Sequence, residues 1–200
     1  VVRPTFSDFR FALFFGKGIS YKPSAIFMDT LIDDNRTCLE QGVELLERLD
    51  ADLYQRRCST VFNSAMGGHL RHNTDHYEQF LAGYATGRID YDARTRDASV
   101  ERDPVYAANL LRSLSAALSS VPESALDDAV EVRMDGGDSS AWTRSSVRRE
   151  LQFLISHTIH HYALIAAIAA AHGFTDLPAD FGMAPSTVKF RASQTKPADA

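Results

Sequence analysis

The chain has 200 residues, 44% of them apolar and 24% charged, with a net charge of −5 and an isoelectric point near 5.8. That length suits one compact domain with extensions, and an acidic balance with scattered arginines speaks against the basic stripe of a nucleic-acid binder. Two cysteines, Cys38 and Cys58, are too few for a disulfide framework or a zinc knuckle and suit a reducing, cytoplasmic setting. No unbroken run of about 18 apolar residues is present, so no membrane role is expected.

Residues 1–23 are mixed, end at Pro23 and read as a packing arm. Ser24 can cap a first helix through "AIFMDTLIDDNRTCLEQGVELLERL", where Phe27, Leu31, Leu39, Val43 and Leu46 recur at helical spacing. Asn63 or Ser64 can cap a second helix over about 64–86, stopped by Gly87. The charged stretch 87–102 reads as a connection. Asp103-Pro104 opens a third helix that runs to Pro122. "AVEVRMDGGDSSAW" alternates weakly around Gly136-Gly137, as a short hairpin or a long loop. Ser145 or Ser146 caps a fourth helix that ends at His172-Gly173. Residues 174–200 read as a polar tail of low order, frayed at "TKPADA". The expected architecture is all-α: a four-helix bundle over 24–173 with long crossover connections, an N-terminal arm and a C-terminal tail.

Six of the seven histidines fall in two clusters, "GGHLRHNTDH" at 67–76 and "SHTIHHYALI" at 156–165. At about 100° per residue, Leu151, Leu154, Ile155, Thr158, Tyr162 and Ile165 share one face of the fourth helix. His157 and His161 lie on the flank of that face, while His160 falls in the polar stripe with Gln152 and Ser156. On the second helix, His69, His72 and His76 line one edge of a core face made by Met66, Leu70, Tyr77, Phe80, Leu81 and Tyr84. Periodicity allows any of the three to look toward a neighbouring helix. An i, i+4 histidine pair with one histidine from a facing helix makes a three-nitrogen site with open positions, the pattern of catalytic metal centres. Neutral imidazole suits zinc, nickel, copper or iron. Thr158 stands where a zincin motif has glutamate, so "HTIHH" is not that motif. The competing reading is a hydrogen-bonded histidine network in the core or at a subunit contact.

"SAMGGHLRHNTDHYEQFLAG" followed by "RRELQFLISHTIHHYALI" resembles the DinB-like (DinB/YfiT) superfamily of bacterial four-helix-bundle proteins over roughly residues 25–172. "YDARTRD" at 91–97 and "DFGMAPST" at 180–187 resemble one of its uncharacterised subgroups. The resemblance implies a divalent-metal site in which the last-helix pair falls on His157 and His161 and the second-helix ligand, in "LRHN", on His72. It also implies chemistry of a loosely defined kind, since relatives include thiol-cofactor-dependent transferases and isomerases. The expectation is therefore a metal-dependent enzyme, a transferase or hydrolase, that uses zinc or nickel at a three-histidine site. It would activate water or a low-molecular-weight thiol for transfer, isomerisation or hydrolysis of a small molecule. The alternative is a non-catalytic metal-binding or sensing bundle closed by a fourth ligand such as His76.

His76 is the expected acid/base, one turn beyond His72. Glu150, two turns before His157, is a candidate partner for a ligand imidazole, though a first-turn carboxylate is the plainer reading. Arg94 and Arg96 are candidates for an anionic substrate, against loop ion pairs with Asp90, Asp92 or Asp97. Tyr77 and Tyr162 read as core filling, and both cysteines as buried small apolar residues. The apolar fourth helix suggests a homodimer.

Overall fold

The computed structural model describes residues 31–134 and 141–194. The arm, the Ser24 cap and the Gly136-Gly137 turn lie outside them. Four long helices carry the fold: α1 (Leu31–Leu46), α3 (Met66–Gly83), α5 (Pro104–Leu118) and α6 (Val147–Ala171). Three short or late helices accompany them: α2 (Ala51–Gln55), α4 (Ala98–Arg102) and α7 (Pro185–Gln194). α1 packs chiefly on α5 and α6, and α3 on α6 and α5. Of the four long helices, consecutive ones at the two ends of the chain, α1 with α3 and α5 with α6, thus sit across a diagonal. This is the crossover wiring that the long connections suggested.

The architecture is mostly helical but not purely so. Three strands, β1 (Arg88–Asp90), β2 (Ala129–Arg133) and β3 (Thr143–Ser146), form one sheet in that order, with β1 parallel and β3 antiparallel to β2. Charge pairs hold the β1–β2 register. Arg88 meets Glu131 at 3.2 Å, Asp90 pairs with Arg133, and both arginines stack over Trp142. In sequence β1 looked like part of a charged connection, because pairing across a sheet leaves no local period when strands are three to five residues long, whereas β2 and β3 form the antiparallel pair that the weak alternation offered beside a loop. The sheet couples two of the long helices. β1 comes after α3 by way of the left-handed Gly87 (φ 76°), and β3 runs straight into α6, so β2 ties the end of one helix to the start of the other.

Several local signals act as read. Asp103 caps α5 by accepting from the Val105 and Tyr106 amides at 2.9 and 3.1 Å, with Pro104 in the first turn. Ser146 caps α6, and Gly173 (φ 80°) lies just past its end. The cap expected for the second helix fails. α3 starts after Ala65, which makes no side-chain cap bond, and the Ser64 hydroxyl is engaged elsewhere. The tail is more ordered than its composition suggested. The Phe174 amide bonds back to the Ala169 carbonyl, Phe181 is buried and stacks on Tyr162 with ring centres 4.5 Å apart, and Pro185–Gln194 is helical.

Tyr54, Tyr77, Tyr91, Tyr162 and Phe80 are the largest fully buried side chains of the core. A polar thread runs through it. Asn35 donates to the Leu31 and Leu151 carbonyls at 2.8 and 3.2 Å and accepts from Tyr77 Oη at 2.9 Å. Thr158 Oγ1 adds a longer contact to that hydroxyl at 3.4 Å. α1, α3 and α6 are thereby registered by groups that cost free energy if left unpaired. α6 is long and apolar enough to cross a membrane by length and hydropathy (mean hydropathy 1.4), which qualifies the expectation from sequence. In this fold α6 packs on α1 and α3, and a third of its apolar window is buried.

This packing makes two predictions. A methyl group at Gly67 would sit 2.2 Å from the Glu101 carbonyl oxygen, while the space at Gly68 is open. Gly67→Ala is expected to lower unfolding free energy by about 1–3 kcal/mol in urea titrations. Gly68→Ala should leave it unchanged or raise it by up to about 1 kcal/mol. Asn35→Ala strands the Tyr77 hydroxyl and should cost about 2–3 kcal/mol. Adding Tyr77→Phe should recover part of that loss, read as a coupling energy in the double-mutant cycle.

Candidate metal centre

α3 and α6 pack face to face and bring five imidazoles into one seam: His69, His72 and His76 from α3, His157 and His161 from α6. Each pair of neighbours is one helical turn apart on its own helix, so the two short rows interdigitate. Ring centres of His72 lie 4.9 Å from His157 and 4.7 Å from His161, and those two are 4.6 Å apart. One ligand atom from each of His72, His157 and His161 falls within 4.8 Å of the others. Among the described residues this is the group of histidine, cysteine or acidic side chains able to hold a metal ion. His160, between the α6 pair in sequence, is exposed, as its place on the helix wheel required.

The flanking histidines are occupied differently. His69 is held at both ring nitrogens: Nε2 lies 2.8 Å from Ser64 Oγ, and Nδ1 lies 3.0 Å from His161 Nδ1. His76 is buried, donates from Nδ1 to the His72 carbonyl at 2.7 Å and accepts at Nε2 from Arg94 at 3.3 Å. Its ring stacks on Tyr91 (5.4 Å) and stands 4.3 Å from that of His157. Phe153 stacks on His157 at 5.3 Å and closes the apolar side of the seam.

Burial sets the charge state. Desolvation, then the neighbouring imidazoles His76 and His161, pushes His157 down to about 2. The same causes push His72 down to about 3, and burial with His69 pushes His161 down to about 4. His69 is lowered too, chiefly by burial. All are below the ordinary imidazole value near 6.5, so at neutral pH these rings carry no charge and have lone pairs to offer. His157 Nδ1 is buried with no hydrogen-bond partner. A buried nitrogen without a donor costs free energy unless something else fills its lone pair. The donor set and the orphaned nitrogen therefore fit a borderline-soft divalent cation.

Other candidates fare unevenly. Glu150 is buried but pairs with Ser145 Oγ rather than with a seam histidine. Asp90 pairs with Arg133, and Asp97 caps α4. Arg94 reaches His76, and the Arg96 amide donates to the buried Asp75. Tyr77 and Tyr162 are core residues. Cys38 and Cys58 are buried free thiols, Cys38 pushed up to about 12 by burial. Sequence reasoning missed Ser64, Tyr91 and Phe153 as seam residues. Only the cap assignment at Ser64 hinted at a spare hydroxyl.

Three comparisons place this geometry among known proteins. The DinB-like protein YjoA from Bacillus subtilis superposes with a TM-score of 0.56 at 19% identity, over 74% of this chain and 94% of that one, which shows a shared fold. FK506-binding protein 5 from Rhizopus delemar is 33% identical over 104 residues, half of this chain and 27% of that protein, so the chain spans about a quarter of its length. The family model of the DinB family matches residues 28–191, both histidine-bearing helices included, and the chain belongs to that family.

Proposed function

We propose that the chain is a divalent-metal-dependent enzyme built on a DinB-like four-helix bundle. His72, His157 and His161 hold the metal, with zinc or nickel the best match to three neutral imidazoles. The observation that carries this reading is the convergence of one nitrogen from each within 4.8 Å, where His157 Nδ1 has no protein partner. The metal would supply Lewis acidity toward water or a low-molecular-weight thiol. The residues do the rest. Phe153 and Tyr91 keep the seam apolar, and the bond from His76 to the His72 carbonyl fixes His76 so that Nε2 is the nitrogen able to take a proton. Arg94, next to that nitrogen, can receive an anionic group. The reaction class is transfer, isomerisation or hydrolysis of a small molecule, in a reducing cytoplasm. A homodimer is part of the same proposal.

A second reading, a non-catalytic metal-binding or sensing module, is favoured by one feature. His76 stands close enough to His157 (4.3 Å between ring centres) to be drawn in as a fourth ligand. Metal analysis of untagged protein decides both. About one divalent ion per chain is expected, lost in His157→Ala and His161→Ala and retained in His160→Ala. No ion bound after dialysis against zinc and against nickel sinks the metal reading. In His76→Gln, retained metal with loss of turnover in a thiol-transfer or hydrolysis screen supports the enzyme. Metal lost together with His76 supports the closed module.

A further inference from the structure

The loop before α3 carries two local costs that point to one atom. Phe62 and Asn63 both adopt left-handed backbone, with φ of 50° and 47°. For phenylalanine, in particular, this is a strained conformation that persists only where the surroundings over-determine it. The surroundings do so here. The Cys58 amide bonds to the Ser64 carbonyl at 2.8 Å, and Arg57 donates to the Asn63 carbonyl at 3.2 Å, closing the loop on itself. The second cost lies at the helix start. Ser64 is among the best capping residues, yet α3 starts after Ala65 with no side-chain cap, which leaves its first amides without the partner a capped start would have. The hydroxyl that could have capped the helix is turned onto His69.

Proton counting along that contact has one solution. A serine hydroxyl has a single proton, and Ser64 Oγ gives it to the Val61 carbonyl at 2.7 Å. Toward His69 it can only accept, so His69 Nε2 carries a hydrogen. A neutral His69 then has a bare Nδ1. The alternative, a doubly protonated His69, would place a cation against the seam of neighbouring imidazoles. Across the 3.0 Å contact the hydrogen therefore sits on His161 Nδ1, and Nε2 of His161 is left bare. We propose that Ser64 and His69 are positioning residues, a relay that fixes His161 in the tautomer whose Nε2 lone pair is offered to the metal. Partners of this kind on the far nitrogen orient ligand imidazoles and raise their basicity. The inference rests on the metal-site reading of His72, His157 and His161, but its protonation pattern exists without metal and can be read there.

The test has two arms. In metal-free, 15N-labelled wild-type protein, long-range imidazole correlation spectra, with His161 assigned through His161→Gln, should show His161 protonated at Nδ1 and His69 at Nε2. A His161 protonated at Nε2, or an equal mixture, overturns the relay. In the second arm, zinc is titrated against a chromophoric chelator. His69→Phe and Ser64→Ala should weaken zinc binding about 10- to 100-fold. His69→Gln, whose amide oxygen can still accept from His161 Nδ1, should stay near wild type. Wild-type affinity in both His69→Phe and Ser64→Ala overturns the proposal. So does a loss in His69→Gln as complete as in His161→Ala, since His69 would then ligate directly. If wild-type protein binds no metal, the functional reading fails, and the spectra of the first arm still decide the relay.

Discussion

A neutral imidazole has one hydrogen to give and one lone pair to fill, and five of them packed into one half-buried seam cannot satisfy each other completely. That constraint governs the centre of this protein. Two of the rings find outside partners: His69 uses Ser64, and His76 uses the His72 carbonyl and Arg94. His161 spends Nδ1 on His69. What remains is the second nitrogen of His161 and the rings of His72 and His157, of which His157 Nδ1 is buried and orphaned. The unfilled lone pairs thus belong to the three residues whose nitrogens converge. Desolvation closes the other escape, because protonating these rings inside the seam is unfavourable.

Such a seam holds only if its two walls keep their register, and the fold fixes that register on both sides of the helices. Deep in the core, Asn35 and Tyr77 bridge α1, α3 and α6 with side-chain hydrogen bonds that a slip of one turn would break. Near the surface, the small sheet joins the end of α3 to the start of α6 through β2. The start of α6 is further pinned by the Val147 and Arg148 amides, which bond to the carbonyls of Asp128 and Leu126. His157 lies about three turns in from that start, close enough for the sheet to set its height along the seam.

The division of labour on α6 was legible in the sequence, because a helix with a strong apolar face fixes every other direction on its surface. His157 and His161 on the flank and His160 outside follow from period alone. On α3 the same reasoning could not choose among His69, His72 and His76, which share one edge and differ only in long-range partners. Ser64, the His72 carbonyl and Arg94 made that choice, at separations from 4 to 18 residues along the chain, and no periodicity encodes them. β2 with β3 was read only as a hairpin or a loop, and β1 was missed for a related reason. Its cohesion with β2 comes from Asp90–Arg133 and Arg88–Glu131 pairs across the sheet, which in sequence are only charges in loops. The apolar α6 looked like a dimer face, and its surface is in part used within the chain by α1, α3 and Phe181.

Whether the proposed centre is open or closed turns on which nearby groups remain able to ligate. Asp75 is buried beside the seam, but Arg71 holds one of its oxygens at 2.5 Å and the Arg96 amide approaches the other at 3.3 Å. Glu150 is committed to Ser145. His76 would have to give up its Arg94 contact to offer Nε2, and its Nδ1 is already spent on the backbone. His69 is saturated by Ser64 and His161. Every neighbouring donor is thus already engaged with a protein partner, and turning it onto the metal would break that bond. A three-nitrogen centre whose surroundings resist supplying a fourth ligand is one that keeps a position for an exogenous molecule. In the proposed enzyme, His76 and the Arg94 in contact with it would be polar groups beside that position.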